Sequence, residues 1–179
     1  RLKRLWYRIY RNPWILLGPG PVFLFLIGFR LPVRGEGKDE RHSIWITNLA
    51  VVALVGALSS LLGWRTYLLV QLPIMAVAAT IGVWLFYVQH QFEGVYWTRH
   101  ADWDPMRAAL AGSLYYRLPK ILQWFTGNIG LHHVHHVLPR IPNYNLQRAY
   151  DATPILQTVR PLTLGKSLRS LRLNLWDEQ

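Results

Sequence analysis

The chain has 179 residues and no cysteine, which excludes a disulfide framework and a thiolate metal site and leaves nitrogen and oxygen as donors for any bound metal. Twenty Lys and Arg against nine Asp and Glu give a net charge of +11, a balance that would suit nucleic acid. Mean hydropathy is +0.11, but the apolar residues concentrate before His90, so the first half of the chain is far greasier than the second.

Residues 1 to 12 carry Leu2, Leu5, Trp6, Ile9 and Tyr10 at helical spacing among Arg1, Lys3, Arg4, Arg8 and Arg11, which predicts a basic amphipathic helix on a membrane surface. These cations sit immediately before an apolar segment. Attraction to anionic lipid and the positive-inside bias account for them, and nucleic acid is not an expected partner.

Three apolar segments follow: Trp14 to Phe29, Ile44 to Leu62 and Tyr67 to Val88. The second and third reach roughly 30 Å as helices, enough to cross a bilayer core. The first is short and interrupted by Gly18-Pro19-Gly20-Pro21. If it crossed fully, the basic stretch before it would lie across the membrane from the polar loop at residues 30 to 43, so a re-entrant or interfacial course is predicted. It resembles a secretory signal, but Leu31-Pro32-Val33-Arg34 is a poor cleavage site.

Residues 63 to 65 predict a tight turn between two spanning helices, and Pro73 a kink within the second. Trp45, Trp64, Tyr67, Trp84 and Tyr87 are placed for rings settling at headgroup level. Beyond His90, Pro119, Pro139, Pro142, Pro154 and Pro161 divide a polar tail into short helices and turns, with no strand-period alternation. The expected fold is all-α and multi-pass. Residues 1–43 form a basic surface helix, interfacial segment and polar loop, residues 44–89 a transmembrane hairpin, and residues 90–179 a cytosolic region.

That region contains His132-His133-Val134-His135-His136, four imidazoles in five residues. On a helix His135 and His136 fall within about 60° of His132, whereas His133 looks away by about 100°. Solvated histidine runs belong to flexible polar tails, but this one lies between Trp124-Phe125-Thr126-Gly127-Asn128-Ile129-Gly130 and Pro139-Arg140-Ile141-Pro142, both with the composition of ordered structure. His132, His135 and His136 are therefore expected metal ligands, and His133 an outer hydrogen-bonding group. His90 ends the last apolar segment, with Glu93 one turn on. Taken alone, such a histidine reads as a headgroup contact; with the cluster downstream it becomes a fourth candidate ligand. His42 is expected in solvent, and His100 either on the surface or against Asp102 or Asp104.

Imidazole suits zinc, copper, iron and nickel. The H-E-x-x-H pattern of zinc hydrolases is absent. An all-imidazole site beside a bilayer fits iron acting with O2 on a hydrophobic chain, because an unactivated C–H bond calls for a strong oxidant.

Residues 84–93 (WLFYVQHQFE), 118–136 (LPKILQWFTGNIGLHHVHH) and 139–146 (PRIPNYNL) resemble the C-terminal part of the membrane fatty acid desaturases, in particular the omega-6 or delta-12 acyl-lipid type. The resemblance implies O2-dependent insertion of a double bond into a fatty acyl chain by a histidine-ligated di-iron centre, with electrons from a donor such as ferredoxin. It implies His90, His132, His135 and His136 as iron ligands. Asn128 and Glu93 are plausible groups orienting imidazoles or water.

Such enzymes carry further histidine boxes upstream, whereas this chain has only His42 before His90. The expectation is that the chain is a fragment, inactive alone, with its second iron site incomplete. Phe86, Trp97 and Trp124 are expected to line an acyl tunnel. Arg140, Arg148, Arg160, Lys166, Arg169 and Arg172 leave the tail basic, which suits anionic lipid first and an acidic electron carrier second. Hydroxylation or ketolation of a hydrophobic substrate is the neighbouring enzymatic reading, and metal transport a non-catalytic one. Transport is disfavoured because the spans offer only Thr47, Asn48, serines, Gln71 and Thr80 as polar groups.

Overall fold

The computed structural model describes residues 2–33 and 35–173 and divides into two compact units, residues 1–84 and 85–179. In the first, α1 (Leu2–Tyr10) is followed by two short helices, α2 (Pro13–Leu17) and α3 (Pro19–Leu26), and a 3-10 turn at Gly28–Arg30. Asn12 ends α1 and starts α2: its side-chain oxygen accepts from the Trp14 N–H at 2.9 Å, with Pro13 at the first helical position. The first apolar segment is thus broken at Gly18, as its Gly-Pro repeat predicts, and neither piece is long enough to cross a bilayer.

Two long helices follow, α4 (Lys38–Leu62) and α5 (Trp64–His90), each long and apolar enough to cross a membrane. The helix α4 starts six residues before the predicted Ile44, inside the expected polar loop. Asp39 and Glu40 occupy its first turn, where negative charge is favourable, and the Glu40 carboxylate accepts from the Gly37 N–H. The predicted hairpin turn shrinks to Gly63 alone, whose φ of 81° is open to glycine at little cost. Leu49, Val52, Leu61, Leu69 and Val77 are all exposed, a surface whose contact with water would be costly.

Polar groups in these helices serve the broken segment. Thr80 donates to the Leu17 carbonyl at 3.1 Å and Asn48 to the Arg30 carbonyl at 2.7 Å, so both backbone acceptors at the ends of the α3 region have partners.

The second unit contains the last turns of α5, then α6 (Pro105–Ala111), β1 (Tyr115–Arg117), α7 (Lys120–Phe125), α8 (His132–Val137), α9 (Leu146–Ala152), β2 (Pro161–Thr163) and α10 (Leu164–Ser167). The chain is mostly helical, as expected, with one exception. Strands β1 and β2 pair in parallel, Tyr116 opposite Leu162, although no alternation is long enough to announce a sheet. Three residues per strand are too few to carry a period, and the pairing is made by tertiary packing around Tyr116, which is fully buried with its hydroxyl 2.9 Å from that of Ser167.

The core of this unit is Leu131, Val134, Leu146 and Leu156, flanked by Leu110, Tyr115, Val137 and Tyr150. Tyr87 departs from its expected place at headgroup level: it is buried, and its hydroxyl donates to the Ser170 carbonyl at 3.0 Å. Trp45 and Trp64 are exposed, as such rings require.

Candidate metal centre

The helix α8 is delivered by a tight turn. Gly127 and Asn128 take consecutive left-handed conformations with φ of 62° and 59°, the Asn128 N–H returns to the Gln123 carbonyl at 2.8 Å, and its side-chain amide donates to the Asn143 carbonyl at 3.0 Å. Gly130 then passes so near β1 that a Cβ would run into the Tyr116 carbonyl oxygen, while its own carbonyl accepts from the Tyr116 N–H at 2.7 Å. These contacts fix where α8 begins.

Its rotation is set by carbon. Val134 and Leu131 are fully buried in the core, with Val137 packed against it. The opposite stripe, His132 and His136, four residues apart, is therefore turned away from the core.

Three imidazoles meet there. His132 Nε2 lies 2.9 Å from His90 Nε2 and 3.1 Å from His136 Nε2, and all three ligand atoms fall within 4.8 Å of one another. His90 Nδ1 lies 3.2 Å from the Gly112 carbonyl, which can only accept, so Nδ1 carries the proton and the Nε2 lone pair faces the other two rings. Phe86, itself exposed, packs on His90 with ring centroids 4.8 Å apart.

The other predicted residues lie elsewhere. His135 lies outside the converging trio, its ring 5.8 Å from that of His132 and 6.0 Å from that of His136. Consecutive helical residues diverge by about 100°, so His135 and His136 leave α8 in different directions. His133 is fully buried with Nε2 3.0 Å from the Leu156 carbonyl, between the rings of Tyr115 and Tyr150. Asn128 shapes the turn through Asn143. Glu93 is exposed, on the wall of a cavity of about 500 Å3 with Leu110, Leu114 and Arg160. Trp97, Trp124 and His42 are exposed; the His100 side chain lies outside the described residues.

Burial disfavours the charged form of His132, His133 and His136. His132 is pushed down to about 3 by desolvation and then by its neighbours His90, His136, His135 and His133. Desolvation also lowers His136, with His90 and His135 adding to it, and it lowers His133 against the pull of its backbone hydrogen bonds. Neutral imidazole is the form that ligates a metal.

Two contributors escaped the sequence reading. Gly112 supplies the carbonyl that orients His90, and Gln89 is buried with its amide donating to the Ile129 carbonyl at 2.8 Å, tying α5 to the turn before α8. Gln89 had a signal: a polar side chain beside a histidine at the end of an apolar helix needs a partner. A backbone carbonyl has none.

The arrangement fits a cation better than a hydrogen-bonded cluster. His132 Nε2 holds either one proton or one lone pair, so it cannot make good hydrogen bonds to both His90 and His136. One cation satisfies three inward lone pairs together. His132 Nδ1, buried, has no hydrogen-bond partner among the described residues. Such a nitrogen on a ligating imidazole ordinarily donates to a carboxylate, carbonyl or water.

The fatty acid desaturase family model matches residues 1–160. The chain is 49% identical to a Bacillus subtilis protein named fatty acid desaturase, over 178 residues that make up 99% of this chain and 51% of that protein. It is 35% identical over 51 residues to a chloroplastic omega-6 fatty acid desaturase of Glycine max, covering 28% of this chain and 12% of that protein. The chain thus spans about half the length of the Bacillus relative. No solved structure matches it.

Proposed function

The chain belongs to the fatty acid desaturase family, and from that premise we propose that it is the C-terminal part of an oxidoreductase that inserts a double bond into a fatty acyl chain. In the proposed reaction two hydrogens leave adjacent methylenes, O2 takes up their two electrons and two more from an external donor, and with two further protons becomes two waters. The observation that carries this reading is the convergence of His90, His132 and His136 on one point, at the end of an apolar 27-residue helix.

Bound iron would supply the one-electron chemistry that an unactivated methylene requires and that a purely Lewis-acidic ion lacks. His90, His132 and His136 would hold one iron. His135, turned out of that trio, would serve a second iron whose other ligands lie outside this chain. Gly112 keeps His90 in its ligating tautomer, and Phe86 screens one side of that ring from water.

In this reading α4 and α5 are a transmembrane hairpin with the histidines on the cytosolic side. Residues 13–30 are re-entrant: Asn48 and Thr80, the partners of the Arg30 and Leu17 carbonyls, each lie ten residues from the Lys38 and His90 ends of their helices, so the segment enters and leaves at one depth. The electron donor is an acidic carrier such as ferredoxin. Arg140, Arg148 and Arg169, all exposed, favour its approach, and the salt dependence of the reduction rate measures their part.

The test is expression of the full-length gene in a host without polyunsaturated lipids, followed by fatty acid profiling. A new diene is expected. Hydroxylated products would replace desaturation with a related oxygenation, and an unchanged profile with altered metal content would make the protein a non-catalytic metal binder. The 179-residue chain alone is expected to be inactive and to hold at most one iron tightly; two tightly held irons would contradict the assignment of the second site.

A further inference from the structure

We propose that α1, α2 and α3 form a binding groove for one anionic phospholipid, retained by the protein independently of any substrate. A cavity of about 510 Å3 lies within the first unit, walled by Trp6, Ile9 and Tyr10 of α1, Leu16 of α2, and Phe23 and Leu24 of α3, with almost no polar surface. Water in such a space finds no hydrogen-bonding partners, so its natural occupant is hydrocarbon. The groove is pre-shaped, because the bend between α1 and α2 is fixed by the Asn12 cap and by Pro13.

Charge selects which hydrocarbon. On α1 the groove-lining residues occupy one face, and Lys3, Arg4 and Arg8, all exposed, occupy its flank and the opposite face. The first acidic residue of the chain is Glu36, so nothing in the preceding segment neutralises these cations. A helix apolar on one side and basic on the other meets a bilayer at its headgroup boundary. A lipid whose acyl chain lies in the groove has its phosphate beside the flank of α1 that carries Lys3, with Arg4 and Arg8 adding their field from the far face. A zwitterionic lipid offers the same chain but a headgroup of no net charge, and it holds less well.

The test uses the full-length protein in nanodiscs made from equal parts phosphatidylglycerol and phosphatidylcholine, with native mass spectrometry of the lipids retained after detergent extraction. About one phosphatidylglycerol per protein is expected, favoured roughly tenfold over phosphatidylcholine. Both Arg4→Gln/Arg8→Gln, which removes charge, and Leu24→Trp, which fills the groove, should lower its retention. Equal retention of the two lipids, or wild-type retention in the groove-filled variant, would overturn the proposal. A second readout does not depend on those variants: these residues hold no cysteine, so Ile9→Cys, made in full-length protein with any cysteine outside them replaced, is the single site for a nitroxide label. Phosphatidylglycerol carrying a nitroxide on its acyl chain should broaden that signal more than phosphatidylcholine carrying the same label, and equal broadening rejects anionic selection.

Discussion

The Gly112 carbonyl accepts from His90 Nδ1 at 3.2 Å, and that single backbone contact decides which nitrogen of the ring is left to bind a cation. The fixed tautomer leaves a histidine at the end of a long apolar helix with a free Nε2 lone pair facing α8. His90→Ala should therefore reduce the iron content of the purified full-length protein and weaken metal affinity by at least roughly tenfold, while the α8 core keeps its packing. Unchanged iron at wild-type thermal stability would remove His90 from the site.

His132 and His133 are neighbours with opposite duties. His133→Leu leaves the buried Leu156 carbonyl unpaired and should cost roughly 1–3 kcal/mol of stability with metal stoichiometry retained, whereas His132→Leu should abolish metal binding at little cost to the apo fold. Denaturant melts paired with metal analysis separate the two. Loss of metal in His133→Leu at temperatures where the protein is folded would reassign that ring.

Gly130 is a fixed spacer between β1 and α8. Its α-hydrogen is replaceable by a methyl only if the Tyr116 carbonyl moves, so Gly130→Ala should destabilise the protein by roughly 1–3 kcal/mol and lower iron occupancy by shifting the start of α8. Calorimetry and metal content should fall together; a neutral substitution would show that the approach is looser than it looks.

Acid should weaken the metal-free protein before it protonates the folded site. Above the unfolded value of about 6.5 both states hold neutral imidazole. Below it the unfolded chain takes up a proton that folded His132 refuses until about pH 3. The stability this residue shares at neutral pH is thus lost progressively as pH falls from 6.5 toward 3, by roughly 2 kcal/mol at pH 5. Unfolding midpoints of wild type and His132→Gln between pH 7 and pH 5 measure the slope, which should be shallower in the variant.

Asn48 serves the break before α4. Asn48→Leu strands the Arg30 carbonyl and should lower stability in lipid by roughly 0.5–2 kcal/mol, with increased protease or label access around residues 28–33. No change in either would mean that the Arg30 carbonyl finds another partner.

Much of this was legible in the chain because the strongest signals were periodic. The two long helices, the break at Gly18, the basic face of α1 and the shared stripe of His132 and His136 on α8 all follow from spacing. What escaped was tertiary. The strands β1 and β2 are too short to have a period and exist because Tyr116 packs where it does. The start of α4 moved upstream because Glu40 caps it, a local effect hidden inside a segment that reads as polar. His135 parted from His136 because adjacent helical residues cannot share one direction when the helix roll is pinned by Val134. Helical spacing brought the three rings into one sector, but the divergence within that sector set their roles.

Gly63 has a further consequence for biogenesis. With α4 and α5 crossing the bilayer as proposed, a connection of one residue leaves no length for one helix to wait on the far side while the other is threaded, and the two would enter together as a closed pair.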